Sequence, residues 1–361
     1  MLLLLYKNST FQNSKPRGLL LLIMQYSFIP NISVVLPFYN AEGTLQASIQ
    51  SIVDQTYQTW ELILVDNNSS DGSRRIGERF VSKDKRILLV EEEQQGVVHA
   101  MNKGLQVSKG KYIARMDADD IAYPEKLQKQ FEYLEANEDV DVVSCKVEFQ
   151  TRIENAKGFR LFVEWSNSMI TSDDINRGMF VELPIVNPSI LFRKKLIEDL
   201  GMYKDGDFPE DYEMFLRWHK AGVKMIKLPE VLFQWNDSAD RLTRTDERYR
   251  TNSFFKIKTT YFYEWLKANN PYFPKVVVWG GGKKARQRFR ILSKLGVEVE
   301  YYIDLKDGHR NGIKCIAYKD LPDPGNIFIL SYVASRDSRF QIKSYLNSRA
   351  YKEMIDYVLL A

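Results

Sequence analysis

From Ile32 onward the chain alternates short apolar runs with polar turns and stretches of helical period. Ile32–Pro37, Glu61–Asp66, Arg86–Val90 and Tyr112–Met116 are nearly continuous apolar runs. Such runs are expected of strands covered on both faces of a parallel sheet. Between them, Gly43–Asp54, a segment running through Arg79, and Val97–Val107 read as helices. Asp71 or Ser70 is placed to cap the second of these. Repeated β-α-β units predict a mostly parallel sheet with helices on both faces. Leu127–Ala136 reads as a further amphipathic helix and Val140–Val147 as a further strand.

Between Thr151 and Pro184 the period is lost. Phe159, Phe162 and Trp165 stand among polar residues, and Ser172-Asp173-Asp174 is placed to cap a short helix. A long irregular segment within a compact domain is often functional. Regular pattern returns with a strand at Ser189–Phe192, a helix to Leu200 stopped by Gly201, a helix at Glu210–Ala221, and a strand at Val231–Trp235.

Residues 247–270 carry aromatic and aliphatic side chains at helical spacing among Lys256, Lys258 and Lys267. Two readings are open: a helix packing its apolar face on the main domain, or a basic amphipathic helix lying on a membrane. A second α/β unit follows. Val276–Trp279 is a strand, Gly280-Gly281-Gly282-Lys283-Lys284-Ala285 opens a helix, and a strand at Val297–Ile303 is followed by Asp304. This is the layout of a dinucleotide fingerprint, a G-x-G-x-x-A turn with an acid after the second strand. The same glycines would also serve tight strand-to-helix packing alone. Ile327–Leu330 is a third strand.

The first residues follow another pattern. Leu2–Leu5 and Gly18–Met24 are apolar, with Lys15 and Arg17 before the second run. The run is too short to span a bilayer and lacks a small-residue cleavage site. Residues 1–30 are expected to be a poorly ordered extension, dispensable up to residue 23, with Met24 an alternative start.

Composition narrows the class. The chain has 361 residues, 44% hydrophobic and 27% charged, as in soluble globular proteins of two or three domains. A net charge of +4 is too mild to argue for nucleic acid. It suits an anionic substrate or a weak hold on an anionic membrane surface. Cys145 and Cys315 lie far apart and predict no disulfide framework. The three histidines have no zinc-ligand spacing.

The chemistry is concentrated in Met116-Asp117-Ala118-Asp119-Asp120, directly after a strand. An open α/β sheet binds its ligands at the C-terminal edge of its strands. Two carboxylates placed there repel each other unless a cation stands between them. Mg²⁺ or Mn²⁺, which commonly bridge to phosphate oxygens, suit such ligands. The other reading is an acidic turn capping the helix that starts near Pro124.

In the order Ile32–Glu42, Leu62–Asp66, Asp117–Asp120, Pro209-Glu210-Asp211-Tyr212 and Trp235–Arg244, the chain resembles inverting glycosyltransferases of family 2. The resemblance covers roughly residues 32–245. It implies a GT-A fold, with a mostly parallel sheet flanked by helices, here followed by a smaller C-terminal Rossmann-like α/β domain. It implies that Pro37, Phe38, Tyr39 and Glu42 border the nucleobase and ribose and that Asp66 accepts a hydrogen bond from the base. Asp117 would contact ribose or metal, Asp119 would hold Mn²⁺ or Mg²⁺, and Asp211 would be the general base. Asn187 and Asn236 stand where many relatives have His, so Arg241 or Arg244 would supply the phosphate contact instead.

The expected organisation is an extension (1–30), a GT-A domain (31–246), a helical linker (247–273) and a Rossmann-like domain (274–361). The expected activity is metal-dependent transfer from a nucleotide-sugar, a UDP-sugar, to a glycan or lipid-linked acceptor in surface polysaccharide synthesis. The expected setting is the cytoplasm, with peripheral contact at the inner membrane face, no nucleic acid, and homo-oligomerisation through the C-terminal domain as an open option. The alternatives are an oxidoreductase or epimerase using the C-terminal glycine turn, or a C-terminal module that only mediates interactions. The C-terminal unit is small for the first of these, roughly half of a full dinucleotide-binding fold.

Overall fold

A computed structural model of the chain describes residues 29–238 and 241–361. The expectations for residues 1–23 and for Met24 lie outside these. Strands β1 (Ile32–Phe38), β2 (Trp60–Asp66), β3 (Ile87–Glu91) and β4 (Tyr112–Arg115) pair in parallel. With β5 (Ile121–Ala122), β6 (Val142–Thr151), β7 (Leu191–Arg193) and β8 (Met225–Asp237) they form a sheet in the order β3-β2-β1-β4-β7-β6-β8-β5. Strand β7 runs antiparallel to both neighbours, and β5 antiparallel to β8.

The apolar runs of β1, β2 and β4 are buried on both faces, as their composition requires, while β3, at the sheet edge, leaves Leu88 exposed. Val35, Ile63 and Val65 belong to one core, and Val34, Leu36, Leu62 and Leu64 to the other. Each such side chain contributes about 1.5–3 kcal/mol when taken from water. Register sets Phe38 beside Asp66, and Asp66 beside Glu91. Met116, just past β4, donates its backbone N–H to Val35 at 3.0 Å. The ends of β1, β2 and β4 therefore share one sheet edge.

The helices are α1 (Leu45–Val53), α2 (Ser73–Val81), α3 (Val97–Val107), α4 (Lys126–Ala136), α5 (Lys157–Ser168), α6 (Ser172–Gly178), α7 (Lys195–Leu200), α8 (Glu210–Lys220), α9 (Leu242–Thr245) and α10 (Thr251–Asn269). Helix α3 lies so close on the sheet that a Cβ at Gly104 would stand 2.3 Å from Val35 Cγ1.

The second sheet is built from β9 (Lys275–Trp279), β10 (Glu298–Asp304), β11 (Gly308–Arg310), β12 (Ile313–Ala317), β13 (Ile329–Ser331) and β14 (Tyr357–Leu359), with α11 (Lys283–Ser293) and α12 (Arg336–Ser348). Its order is β11-β12-β10-β9-β13-β14, and only β11 is antiparallel. Without the β11 hairpin, this is the 3-2-1-4-5 order of doubly wound nucleotide-binding sheets.

Several expectations are corrected. The segment 151–184 contains two helices, α5 and α6, and α6 is opened by a Thr171–Asp174 capping box. The strand expected at Val231–Trp235 is the far end of a 13-residue strand. The cap of α2 is Gly72 rather than Ser70 or Asp71. Of the two readings of 247–270, packing describes α10: Phe255, Phe262 and Leu266 are buried in a core that continues into the second sheet through Val276, Val278 and Leu330. No helix among the described residues is long and apolar enough to cross a membrane.

Candidate active site

The edge at β1 and β2 is a loop held by side chains. Asn40 sits at φ 47°, and its Oδ1 accepts from Ser70 N–H at 2.8 Å. Glu42 is exposed but engaged: its Oε2 accepts from Gly72 N–H at 3.1 Å, and its own N–H donates to Asp71 at 3.0 Å. Asp66 is 2% exposed, accepts from Ser69 N–H at 3.0 Å and faces Arg74 at 3.6 Å. Asn67 is a brace, donating to the carbonyls of Glu92 and Gln94 and accepting from Gly96 N–H. Phe38 is buried in the core, Pro37 is half-buried and Tyr39 is exposed.

The acidic turn gathers three carboxylates rather than two. Oxygen atoms of Asp117, Asp119 and Asp120 lie within 4.8 Å of one another. Asp120 is fully buried. Its Oδ1 accepts from Asn236 N–H at 2.8 Å, and its Oδ2 has no partner. Burial pushes the Asp119 and Asp120 carboxyls up, and neighbouring carboxylates add to this while Arg241 opposes it. A hard oxygen-binding cation would satisfy both the mutual repulsion and the orphan oxygen, so these residues fit a divalent metal. The Asn236 side chain donates to Asp119 O at 2.6 Å, so the end of β8 clamps the turn at two points. Arg241 lies 4.1 Å over the Trp235 ring and donates to Asn236 O. Arg244 is taken up by an ion pair with Asp237.

The third group comes from the start of α8. Pro209 precedes the helix, and Glu210, Asp211 and Glu213 fill its first turn, where the helix dipole favours anions. Burial first, then Glu210, push the Asp211 carboxyl up to about 7, against the pull of Arg115. Glu210 is 2% exposed and accepts from the Tyr249 hydroxyl. Arg115 is buried. Its Nε meets Asp117 at 3.1 Å, and its Nη1 donates to Tyr203 at 3.4 Å. Asn187, also buried, has neither amide atom paired.

Asp117, Asp119 and Asp211 thus belong to one charged neighbourhood, with Arg115 between the acidic turn and α8. Two residues of this neighbourhood, Asp120 and Arg115, lie outside the candidates read from the sequence. Asp120 carried a signal, as the third acid of one turn; Arg115 read only as part of a strand. The edge at Asp66 and the turn at Asp117 follow two strands of the same parallel set.

A mostly parallel sheet flanked by helices is the fold that the resemblance implied. Residues 33–201 match the family model described as Glycosyl transferase family 2. An uncharacterized glycosyltransferase of Methanocaldococcus jannaschii is 31% identical over 251 residues, 68% of this chain and 85% of that protein. The amylovoran biosynthesis glycosyltransferase AmsE of Erwinia amylovora is 28% identical, over 59% of this chain and 78% of its own length. The crystal structure of S. aureus TarS in complex with UDP-GlcNAc shares the fold, with TM-score 0.54 at 17% identity, covering 73% of this chain and 71% of that one. The chain belongs to glycosyl transferase family 2, and its enzymatic class is glycosyltransferase.

Proposed function

We propose that the chain moves a sugar from a nucleoside-diphosphate donor, a UDP-sugar, to a hydroxyl of a glycan or lipid-linked acceptor, inverting the anomeric carbon. The observation that carries this is the meeting of Asp117–Asp120 with Glu210–Asp211 around Arg115, from segments far apart in sequence. The domain limits 31–246 and 274–361 belong to the same reading, with the second unit non-catalytic. Relatives such as AmsE, named for amylovoran biosynthesis, support a place in surface polysaccharide synthesis. We place the reaction in the cytoplasm, at the membrane face where a lipid-linked acceptor would be presented.

Asp66, buried at its strand end, accepts from the base, and exposed Tyr39 covers it. Phe38 supports that loop from the core, while Pro37 and Glu42 fix its path. Asp117, Asp119 and Asp120 would hold Mn²⁺ or Mg²⁺, which supplies positive charge for the departing diphosphate. Asp211 takes the proton of the acceptor hydroxyl as its oxygen attacks the anomeric carbon. The bond from that carbon to the diphosphate breaks, and its electron pair leaves with the diphosphate. Attack opposite the leaving group inverts the centre. A carboxyl held up to about 7 suits a base working near neutral pH.

A screen of nucleotide sugars with Mn²⁺, read by nucleotide release, tests this. One donor should be consumed. Asp119→Ala should remove the effect of Mn²⁺ on UDP affinity with the melting temperature retained. Metal-stimulated affinity equal to wild type in that variant would refute the site.

A further inference from the structure

The first turn of α8 carries two adjacent acids, and the helix itself does little to hold either. Pro209 precedes it and makes no side-chain cap. Asp211 Oδ1 accepts only from the next N–H along the chain, that of Tyr212, at 2.7 Å. Glu210 is 2% exposed, and among the described residues one side chain hydrogen-bonds it: the hydroxyl of Tyr249, which donates to Oε2. We infer that Tyr249 is a positioning residue for transfer, anchoring Glu210 so that Asp211 is the carboxylate left to face the acceptor. The inference rests on the reading of Asp211 as the base.

Tyr249 ends a short 3₁₀ turn, Glu247–Tyr249, between α9 and α10, and lies beyond the residues 33–201 that match the family. The turn is pinned by Asp246, which accepts from Arg248 N–H at 2.8 Å and pairs with the Arg248 guanidinium at 2.6 Å. The Tyr249 ring packs on Phe254, with centroids 6.4 Å apart, and Phe254 packs on Tyr212 of α8 at 5.6 Å. Burial, then Glu210 and Asp211, push the Tyr249 hydroxyl well up, so it stays a donor at any working pH.

A donated hydrogen bond favours the ionised form of a carboxylate, and a second carboxylate close by is then the harder one to ionise. With Glu210 engaged as an acceptor, Asp211 is the member of the pair left to take a proton. Successive helix residues are turned by about 100° from one another. Fixing Glu210 toward Tyr249 therefore also fixes the direction of Asp211. A second tyrosine makes a comparable contact one turn on, where Tyr261 of α10 donates to Glu213 Oε1. Glu213 has other partners, Arg217 at 3.0 Å and Lys204 at 3.2 Å, and so does not depend on its tyrosine.

Turnover of the full chain on UDP-glucose, UDP-galactose and UDP-N-acetylglucosamine, with Mn²⁺, water as the acceptor and UDP release as the readout, tests this. Tyr249→Phe should lower kcat by about tenfold to a hundredfold, the rate equivalent of one hydrogen bond to a charged group. Donor KM and UDP affinity should be retained. Tyr261→Phe, the control, should leave kcat unchanged. Added to Glu210→Gln, Tyr249→Phe should cost nothing further, because the contact it removes is already gone. Four results overturn the inference: kcat retained in Tyr249→Phe, UDP affinity lost with kcat, the same loss repeated on top of Glu210→Gln, or Glu210→Gln as inactive as Asp211→Asn. If the wild type turns over none of the three donors, the transfer reading fails and this inference falls with it; wild-type turnover that Tyr249→Phe matches sinks this inference alone.

Discussion

Asp211 has two possible duties at the start of α8, and one substitution separates them. Asparagine keeps its size and serves well near a helix start, but it cannot take a proton. Asp211→Asn should lower transfer by about 10²–10⁴, the usual weight of general-base catalysis, with UDP affinity retained. In the wild type, transfer should fall as pH drops through about 7, because the base is then protonated. The stability consequence has the opposite sign. A carboxyl raised from about 3.9 when unfolded costs the native state stability progressively as pH rises from that value to about 7. Asp211→Asn removes this cost, so its melting temperature at pH 8 should be higher than that of the wild type. A variant equal in turnover, or less stable at pH 8, would make Asp211 structural and leave Glu210 as the next candidate.

The elements differ in how far they could be read from the chain. Strands β1, β2 and β4 were legible because a strand covered on both faces has to be apolar throughout; β3 has the same apolar run although it lies at the sheet edge with Leu88 exposed. The edge carrying Asp66 and Asp117 followed from them. The long strand β8 was hidden because Lys227, Pro229 and Glu230 interrupt its run, where its pairing with β6 shifts register. Helix α5 does carry a signal in the chain: Phe159, Phe162, Val163 and Ser166 are spaced for one face, and Phe159 and Phe162 pack around Trp235. The clamp of Asn236 on the acidic turn joins residues more than a hundred apart and leaves no local pattern. Gly104 shows how packing can override propensity. In an isolated helix Gly→Ala gains about 1 kcal/mol. Here the new methyl would lie 2.3 Å from Val35 Cγ1 and 3.2 Å from Val65 Cγ2, and overpacking of this kind costs about 1–3 kcal/mol. Gly104→Ala should therefore lower the urea midpoint, and a raised midpoint would show that α3 shifts freely on the sheet.

At the scale of the whole molecule, the two sheets are joined through α10. One core runs from Phe180 and Leu216 through Phe262 and Leu266 to Phe289, Leu330 and Leu360. At its centre Lys258, 4% exposed, donates to Val181 O at 3.1 Å on one side and to Leu360 O at 2.7 Å on the other. Its ammonium also lies 4.1 Å over the Phe255 ring. Burial, then Arg288 and Arg339, pull its pKa down to about 7, with Glu182 opposing. In the unfolded chain the same lysine titrates near 10.4. Between these values the unfolded state holds more protons, so the Lys258 contribution to stability rises with pH across that window. Lys258→Met keeps the apolar stem but removes both the proton and the two hydrogen bonds. The wild type should therefore be the more stable protein at pH 9, by urea denaturation, and its lead should shrink as the pH is lowered to 6. Lys126 and Lys227, also buried and lowered to about 8 and about 7, are present in both proteins and cancel in the comparison. A lead that stays constant across this range would mean that Lys258 keeps its charge folded and unfolded alike, and would refute the depressed value.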